Sequence, residues 1–426
     1  MKNKLSIVIT SILVLISLNQ ASAQTRISSP YSRFGIGELF QNTHVNNMAM
    51  GGISQGIYNP YFVNAANPAS YTAFDTLSFV FDASLHARFT KLSTTTANQT
   101  ADYASLGNLL FGFPITGWWK ASFGLMPYSS TGYNMTDVHT DSIFESYSNV
   151  YEGSGGINQF YIGSSFDLNR RLSVGINVSY LFGTINHNTA TVFPDSLYRY
   201  NVKTINSTRV HDFVPTLGIM YNRALQKGYH YTIGASFFAQ SKINVTADKL
   251  SYSYTSSATG VESRRDTIQM NTGTKETITL PTGLGVGFSF GRNESWLIGA
   301  DFTYKQWENF KFAAAQEPLV NNMQFAIGGF INPSSSTVSN YLQRLTYRAG
   351  LRYSDGILEL RNQRINEFGI TFGVGLPLPR TNSTINLGFE VGSRGTEKEN
   401  LIKENYVKFT LGLSIFERWF VIRKYQ

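Results

Sequence analysis

Residues 406–416 constrain the fold most strongly, because apolar residues occupy every second position there. The apolar residues at alternate positions are Val407, Phe409, Leu411, Leu413 and Ile415. A period of two residues is typical of a β-strand with one apolar face. The pattern recurs along the chain without amphipathic helices to cover these faces, which favours a transmembrane β-barrel facing lipid. In such a barrel the last strand must pair with the first, since an unpaired edge in hydrocarbon leaves backbone groups unsatisfied.

Fourteen segments of the chain carry this alternation, which predicts an all-β fold, a 14-stranded antiparallel transmembrane β-barrel. In the first segment, Leu85 and Phe89 are expected to point outward and Asp82 and Arg88 inward. With ends placed to within ~2–4 residues, the predicted strands are 77–89, 105–113, 118–130, 156–168, 171–184, 210–222, 229–241, 278–290, 294–306, 322–331, 343–354, 365–376, 383–393 and 405–416.

The connections between these strands alternate in length. Short connections such as 169–170 and 291–293 alternate with the long segments 129–155, 185–209 and 242–277. Outer-membrane barrels have short periplasmic turns and longer external loops. The three long segments are therefore predicted to be external loops.

The N-terminus has the order of a secretory signal peptide. Lys2 and Lys4 precede an apolar run at 5–18, which is followed by Ala21-Ser22-Ala23. No later run of 18 apolar residues occurs, so a membrane would be crossed by strands. The absence of Cys excludes a lipid-anchored lipoprotein. These features predict export to the outer membrane of a Gram-negative bacterium, as an integral protein.

Residues 24–76 do not alternate, yet they are too apolar for a disordered linker. Their large apolar side chains include Phe34, Met48, Met50, Ile53, Phe62 and Phe74. If such side chains stayed in water, the protein would lose ~1.5–3 kcal/mol of hydrophobic stabilisation for each. A barrel of fourteen strands is too wide for its wall side chains to fill. We therefore predict that this segment folds into the lumen as a plug.

The predicted division of the chain is a signal peptide (1–23), a plug segment (24–76), the barrel (77–416) and a periplasmic tail (417–426). Glycines recur at inward positions of the predicted strands, among them Gly175, Gly218, Gly350 and Gly412. Glycine in a strand marks either a bend of the wall or the close approach of another backbone. Both interpretations are open, and they are compatible.

No catalytic or metal-binding pattern is present in the sequence. The six His residues have no metal-ligand spacing, and solvation in loops or on the lumen wall is the expected state for them. No Gly-x-Ser-x-Gly elbow occurs. The formal net charge of +8 comes from Lys and Arg scattered through turns, so no nucleic-acid surface is expected. We predict neither enzymatic activity nor a cofactor or metal.

The plug segment resembles the opening of the FadL-type transporters of hydrophobic compounds. The resemblance rests on Met48-Ala49-Met50-Gly51-Gly52 and on an NPA box, Asn67-Pro68-Ala69. Asp301-Phe302-Thr303-Tyr304 and Tyr347-Arg348-Ala349-Gly350 are similar to late-strand motifs of that family. The opening 29–37 and the ending 417–420 are more similar to a variant branch, which includes the FadL-related barrel of the type IX secretion machinery.

This resemblance implies an outer-membrane channel for fatty-acid-like molecules, or alternatively an accessory barrel of a protein secretion or outer-membrane assembly complex. A general diffusion porin is a third candidate. The expected partners are outer-membrane lipid, a hydrophobic or detergent-like small molecule, and possible proteins of such a complex. The predicted ligand-binding residues are Phe34, Met48, Met50 and Phe62. Gly51 and Gly52 would let the plug turn, the NPA box would anchor it, and Pro127 would lie at a lateral opening because it cannot donate a ladder hydrogen bond.

Overall fold

The structure of the protein is a computed structural model. It describes residues 29–41, 43–141, 145–193, 199–257, 261–292, 295–312, 318–334, 336, 339–379 and 381–418. The predicted signal peptide, residues 24–28 of the predicted plug and residues 419–426 of the predicted tail lie outside the described residues.

The described residues form a closed antiparallel barrel of fourteen strands, three of which are briefly interrupted. The strands, numbered first to fourteenth in chain order, are Ser78–Ser93, Asn98–Pro114, Trp119–Ser130 continued by Tyr133–Asp141, Glu145–Asp167, Leu172–Val192, Asn201–Ala224, Tyr229–Phe238 continued by Ser241–Ser256, Glu262–Leu280 continued by Gly283–Arg292, Trp296–Lys305, Asn322–Ile331, Thr346–Ser354, Glu367–Pro377, Thr384–Arg394 and Lys403–Arg418. Each predicted strand overlaps one of these, so the predicted strand count is confirmed.

The last strand closes the barrel on the first. Their register runs from Ser78 opposite Arg418 to Ser93 opposite Lys403. The alternation of the sequence is reproduced across the wall. In the first strand Leu85 and Phe89 are more than half exposed, at 54% and 55%, whereas Asp82 is fully buried. The apolar residues at alternate positions therefore face outward, and the polar residues and glycines between them face inward.

The three long segments predicted to be loops are mostly strand, and that prediction was wrong. The third to eighth strands continue as a paired sheet beyond the rest of the wall, as in the pairs Tyr133 with Gly153 and Tyr254 with Arg264. Their sequence is rich in Thr, Tyr and Asn with little apolar alternation. Much of this extension is exposed, above all the strand Glu262–Leu280, so its β-branched and aromatic residues form strands without a continuous apolar alternation.

Helical structure in the described residues is short. The N-terminal segment has one α-helical turn, Val45–Met48, and two 3₁₀ helices, Pro30–Arg33 and Pro68–Ala73. Further 3₁₀ turns lie in connections, at Gln226–Gly228, Trp307–Asn309, Tyr341–Arg344 and Lys398–Asn400. Across the described ranges, no helix has the length and apolarity to cross a membrane.

Candidate functional site between the N-terminal segment and the wall

The described part of the N-terminal segment lies against the inward-facing glycines of many strands. A Cβ atom built on these glycines would meet a segment atom at 3.0 Å or closer, on Gly112, Gly163, Gly175, Gly218, Gly234, Gly285, Gly287, Gly299, Gly328, Gly350, Gly373 and Gly412. Other inward glycines, such as Gly124 and Gly369, meet only neighbouring wall atoms. Close approach of the segment, by its backbone at some positions and by its side chains at others, therefore accounts for most inward glycines, and relief of crowding within the wall accounts for the rest.

The Asn67-Pro68-Ala69 box starts the 3₁₀ helix Pro68–Ala73. The side chain of Asn67 accepts a hydrogen bond from the Ala69 amide at 3.2 Å, and its amide group donates to the Gln55 carbonyl at 2.9 Å. Pro68 fits the first helical position because it has no N–H to satisfy. A Cβ on Gly175 would lie 2.5 Å from the carbonyl carbon of Pro68. The box thus joins two parts of the segment and packs against the wall just before the first strand.

Gly51 and Gly52 lie in a turn of the segment. Both have positive φ angles, +75° and +89°, a conformation that costs glycine little. The amide of Gly51 donates to the Thr371 hydroxyl at 2.7 Å. A Cβ at Gly51 would lie 2.6 Å from the Leu351 carbonyl oxygen. The turn therefore needs glycine for its conformation and for its close approach to the wall.

Asp301 holds the next turn of the segment. Its carboxylate accepts hydrogen bonds from the amides of Ser54 and Gln55, at 2.5 and 2.7 Å. The sequence shows Asp301 only as part of a family-like motif and does not indicate its partner. The signal that could have revealed it is a lone acidic residue at an inward strand position.

A buried ionic cluster ties the start of the segment to the wall, and sequence reasoning missed it. Glu38 contacts Arg88 and lies 3.4 Å from Arg394, and Arg88 lies 3.6 Å from Glu404. Burial opposes the charged form of Glu38, but the guanidinium groups of Arg88 and Arg394 hold its pKa below its usual value. Ser29 of the segment also donates a hydrogen bond to Glu404.

The four predicted ligand-binding residues do not share one site. Met50 and Phe62 line a cavity of about 660 Å³ at the side of the short turns. Met48 is buried but is not among the lining residues, and Phe34 packs against a core cluster that includes Trp307. Phe62 also stacks on His44, with ring centroids 4.6 Å apart. His44 is buried, so the expectation that it is solvated was wrong.

Pro127 lies beside a gap in the hydrogen-bonded ladder. The second and third strands pair only from Leu109 with Leu125 to Pro114 with Lys120, although the second strand begins at Asn98. Between Pro127 and Ser129 the third strand has a bulge in its pairing with the fourth. We call the unpaired stretch between the second and third strands the seam. The third strand's edge at the seam pairs instead with Glu38–Leu39 of the segment.

No metal site is seen in the described part of the chain, where no group of three His, Asp or Glu side chains could hold an ion.

A family model described as BamG matches residues 1–426. The chain belongs to the BamG family. No curated protein sequence matches this BamG-family chain. Similar solved structures include the toluene transporter TbuX of Ralstonia pickettii, at 14% identity and a TM-score of 0.60, covering 89% of this chain and 99% of that one.

Two further structures similar to this BamG-family chain come from Pseudomonas. A FadL homologue of Pseudomonas aeruginosa matches at 12% identity and a TM-score of 0.59, over 90% of this chain and 100% of its own. The toluene transporter TodX of Pseudomonas putida matches at 16% identity and a TM-score of 0.57, over 90% and 99%. The predicted resemblance to FadL-type barrels is confirmed, and at these identities the likeness establishes the fold.

Proposed function

We propose that this protein is a non-enzymatic channel of the bacterial outer membrane that admits small hydrophobic molecules, and that residues 24–76 are its plug. The observation that carries the proposal is the contact of the described segment with inward glycines from the second to the fourteenth strand. A segment in that position blocks an aqueous pore. A blocked aqueous pore argues against a general diffusion porin. Apolar solutes could still pass, whereas polar solutes could not.

The proposed route leaves the barrel sideways through the seam. Unpaired backbone in contact with hydrocarbon is costly. At the seam this cost is reduced on one side, because the Phe40 amide donates to the Tyr128 carbonyl at 3.0 Å and Glu38–Leu39 covers the adjoining edge. An apolar solute could pass there into lipid without crossing a polar pore. The predicted ligand-binding residues Met50 and Phe62 line the cavity at the short-turn end of the barrel, so the proposed route through the seam does not depend on them.

The test is uptake of radiolabelled oleate or toluene by cells that lack their own hydrophobic channel. Continuing the ladder from Leu109 and Leu125 past the bulge of the second strand would place Leu106 opposite Pro127, and both positions face outward. We expect that a disulfide between L106C and P127C stops uptake and that reduction restores it. The matched control is a disulfide between L109C and L125C, positions already paired in the wall, which should leave uptake unchanged. Uptake no faster than in the empty host would contradict the proposal.

A second candidate function, an accessory barrel of a secretion or outer-membrane assembly complex, is favoured by the projecting sheet. The third to eighth strands extend well beyond the others, and the strand Glu262–Leu280 is exposed along most of its length. Hydrophobic transport by the barrel does not require such a surface. Purification of the native protein in mild detergent distinguishes the two functions. Stoichiometric partner proteins without any uptake activity would favour the accessory barrel.

A further inference from the structure

The 660 Å³ cavity lies between residues 57–62 of the segment and the last six strands, at the end of the barrel where the short turns are. Its mouth is formed by residues of the turns after the tenth and twelfth strands and by the end of the fourteenth. In the proposed orientation this mouth faces the periplasm. The cavity is thus on the opposite side of the segment from the buried ionic cluster of Glu38.

Arg348 projects from the eleventh strand into this cavity. Its guanidinium lies over Gly375, where a built Cβ would be 2.7 Å from Nη1. Its hydrogen bond is a long one, 3.5 Å from Nη1 to the Asn386 amide oxygen. No carboxylate among the described residues lies within ion-pairing distance of it. Arg348 is partly exposed to the cavity, and a guanidinium that has no carboxylate partner there can bind an incoming anion.

Arg352, on the same face of the same strand, has a very different environment. Its Nε lies 2.6 Å from Glu390, and its Nη2 lies 2.5 Å from Glu367 and 2.7 Å from the Tyr406 hydroxyl. Two carboxylates therefore satisfy Arg352, which has a structural role. The lack of such partners at Arg348 is a local property of the cavity and not a general feature of inward arginines in this barrel.

The remaining lining of the cavity complements an anion carried on an aromatic ring. Two more cations, Arg344 and Arg418, line it with a single carboxylate, Glu417. Aromatic side chains form much of its apolar surface: Tyr58, Tyr61, Phe62, Phe330 and Phe416. Several of these rings are held in place, since Phe62 stacks on His44 and Tyr61 meets Phe416 edge to face at 5.2 Å.

We propose that this cavity binds a carboxylate attached to an aromatic group, with Arg348 as the ligand of the carboxylate. A guanidinium binds a carboxylate through two parallel hydrogen bonds, and fixed aromatic rings favour edge or offset contact with another ring. Such a carboxylate comes either from a small aromatic acid or from the C-terminal residue of a polypeptide. The site goes beyond the proposed channel, because it is reached from the aqueous side and not through the seam.

The experiment is calorimetric titration of the purified full-length protein in detergent with 3-phenylpropanoate and with a pentapeptide that ends in phenylalanine. The uncharged amide of each probe is the chemical control. We expect each acid to bind at least about tenfold more tightly than its amide, as a charged hydrogen-bonded pair contributes roughly 1.5–3 kcal/mol. R348Q should lose that advantage, and R348K should keep part of it.

The matched control variant is R171Q, which removes an exposed arginine at the same end of the barrel but outside the cavity. It should bind the acids as the unmodified protein does. T384D keeps every arginine and places a competing carboxylate in the cavity, so it should also abolish binding. This variant tests the site even if R348Q fails to fold.

If the peptide binds more tightly than 3-phenylpropanoate, the bound carboxylate comes from a polypeptide terminus. If the two bind equally, it comes from a small aromatic acid. Any of three results would overturn the proposal. These are equal binding of an acid and its amide, unchanged binding of the acids by R348Q, and no binding of either acid. None of these results depends on uptake, so the channel and the carboxylate site can fail separately.

Discussion

The Nε2 atom of His44, in the N-terminal segment, lies 3.0 Å from the Oδ1 atom of Asp82, in the first barrel strand. Both side chains are buried. The Nδ1 atom of His44 accepts a hydrogen bond from the Asn46 amide at 3.2 Å. The other carboxylate oxygen of Asp82 accepts one from the Val63 amide at 2.6 Å. One wall carboxylate therefore holds two distant parts of the segment.

We expect Asp82→Ala to destabilise the segment's attachment by about 1–3 kcal/mol, because it leaves the buried Val63 amide without its acceptor. Limited proteolysis of the folded barrel should then cut within residues 43–66, and urea unfolding should shift to lower concentration. Asp102→Asn, on an exposed position of the second strand, is the control and should change neither measurement. Resistance of Asp82→Ala to protease would contradict this role.

Gly175→Ala should destabilise the protein by about 1–3 kcal/mol, since its Cβ would press on the backbone of Pro68 and Ala69 at 2.5–2.6 Å. Gly117→Ala is the matched control, because a Cβ there meets nothing within 4 Å. The measurement is the midpoint of heat-induced change in gel mobility of the folded barrel. Equal midpoints for the two variants would show that the segment does not press on the fifth strand in solution.

Acidification should weaken the ionic cluster through Glu38. Because the pKa of Glu38 is lowered on folding, its charge stabilises the protein above the unfolded value of about 4.3. That contribution is lost as the pH falls through the lower, folded value. Urea stability of the unmodified protein should therefore drop between neutral pH and pH 3 more steeply than that of Glu38→Gln. Glu262→Gln, in an exposed pair with Lys203, should retain the unmodified pH profile.

The two ends of the barrel can be assigned by thiol labelling, since the chain has no Cys. Ser256→Cys, near the tip of the seventh strand, should react with a membrane-impermeant maleimide on whole cells. Arg171→Cys, in a short turn, should react only after the outer membrane is permeabilised. The opposite pattern would invert the proposed orientation and place the mouth of the 660 Å³ cavity outside the cell.

Sequence alone was sufficient for the strand count and for the face that each wall residue presents. Alternation is local, so Leu85 and Asp82 reveal their opposite faces without any knowledge of their neighbours. The backbone conformation at Gly51-Gly52 and the capping by Asn67 are also local, because they depend on adjacent residues. The extensions of the third to eighth strands could not be predicted, since a largely exposed sheet carries no such alternation.

The tertiary structure alone decided which inward side chains meet. The pairs Glu38 with Arg394, His44 with Asp82, and Asp301 with the Gln55 amide are distant in sequence, and residue type does not specify which of several inward carboxylates accompanies a given arginine or histidine. Arg348 and Arg352 share a strand and a face, yet only Arg352 is paired with carboxylates of the twelfth and thirteenth strands. That difference arises from the register of neighbouring strands and from the position of the segment, because electrostatic partners are set by distance in space rather than by distance along the chain.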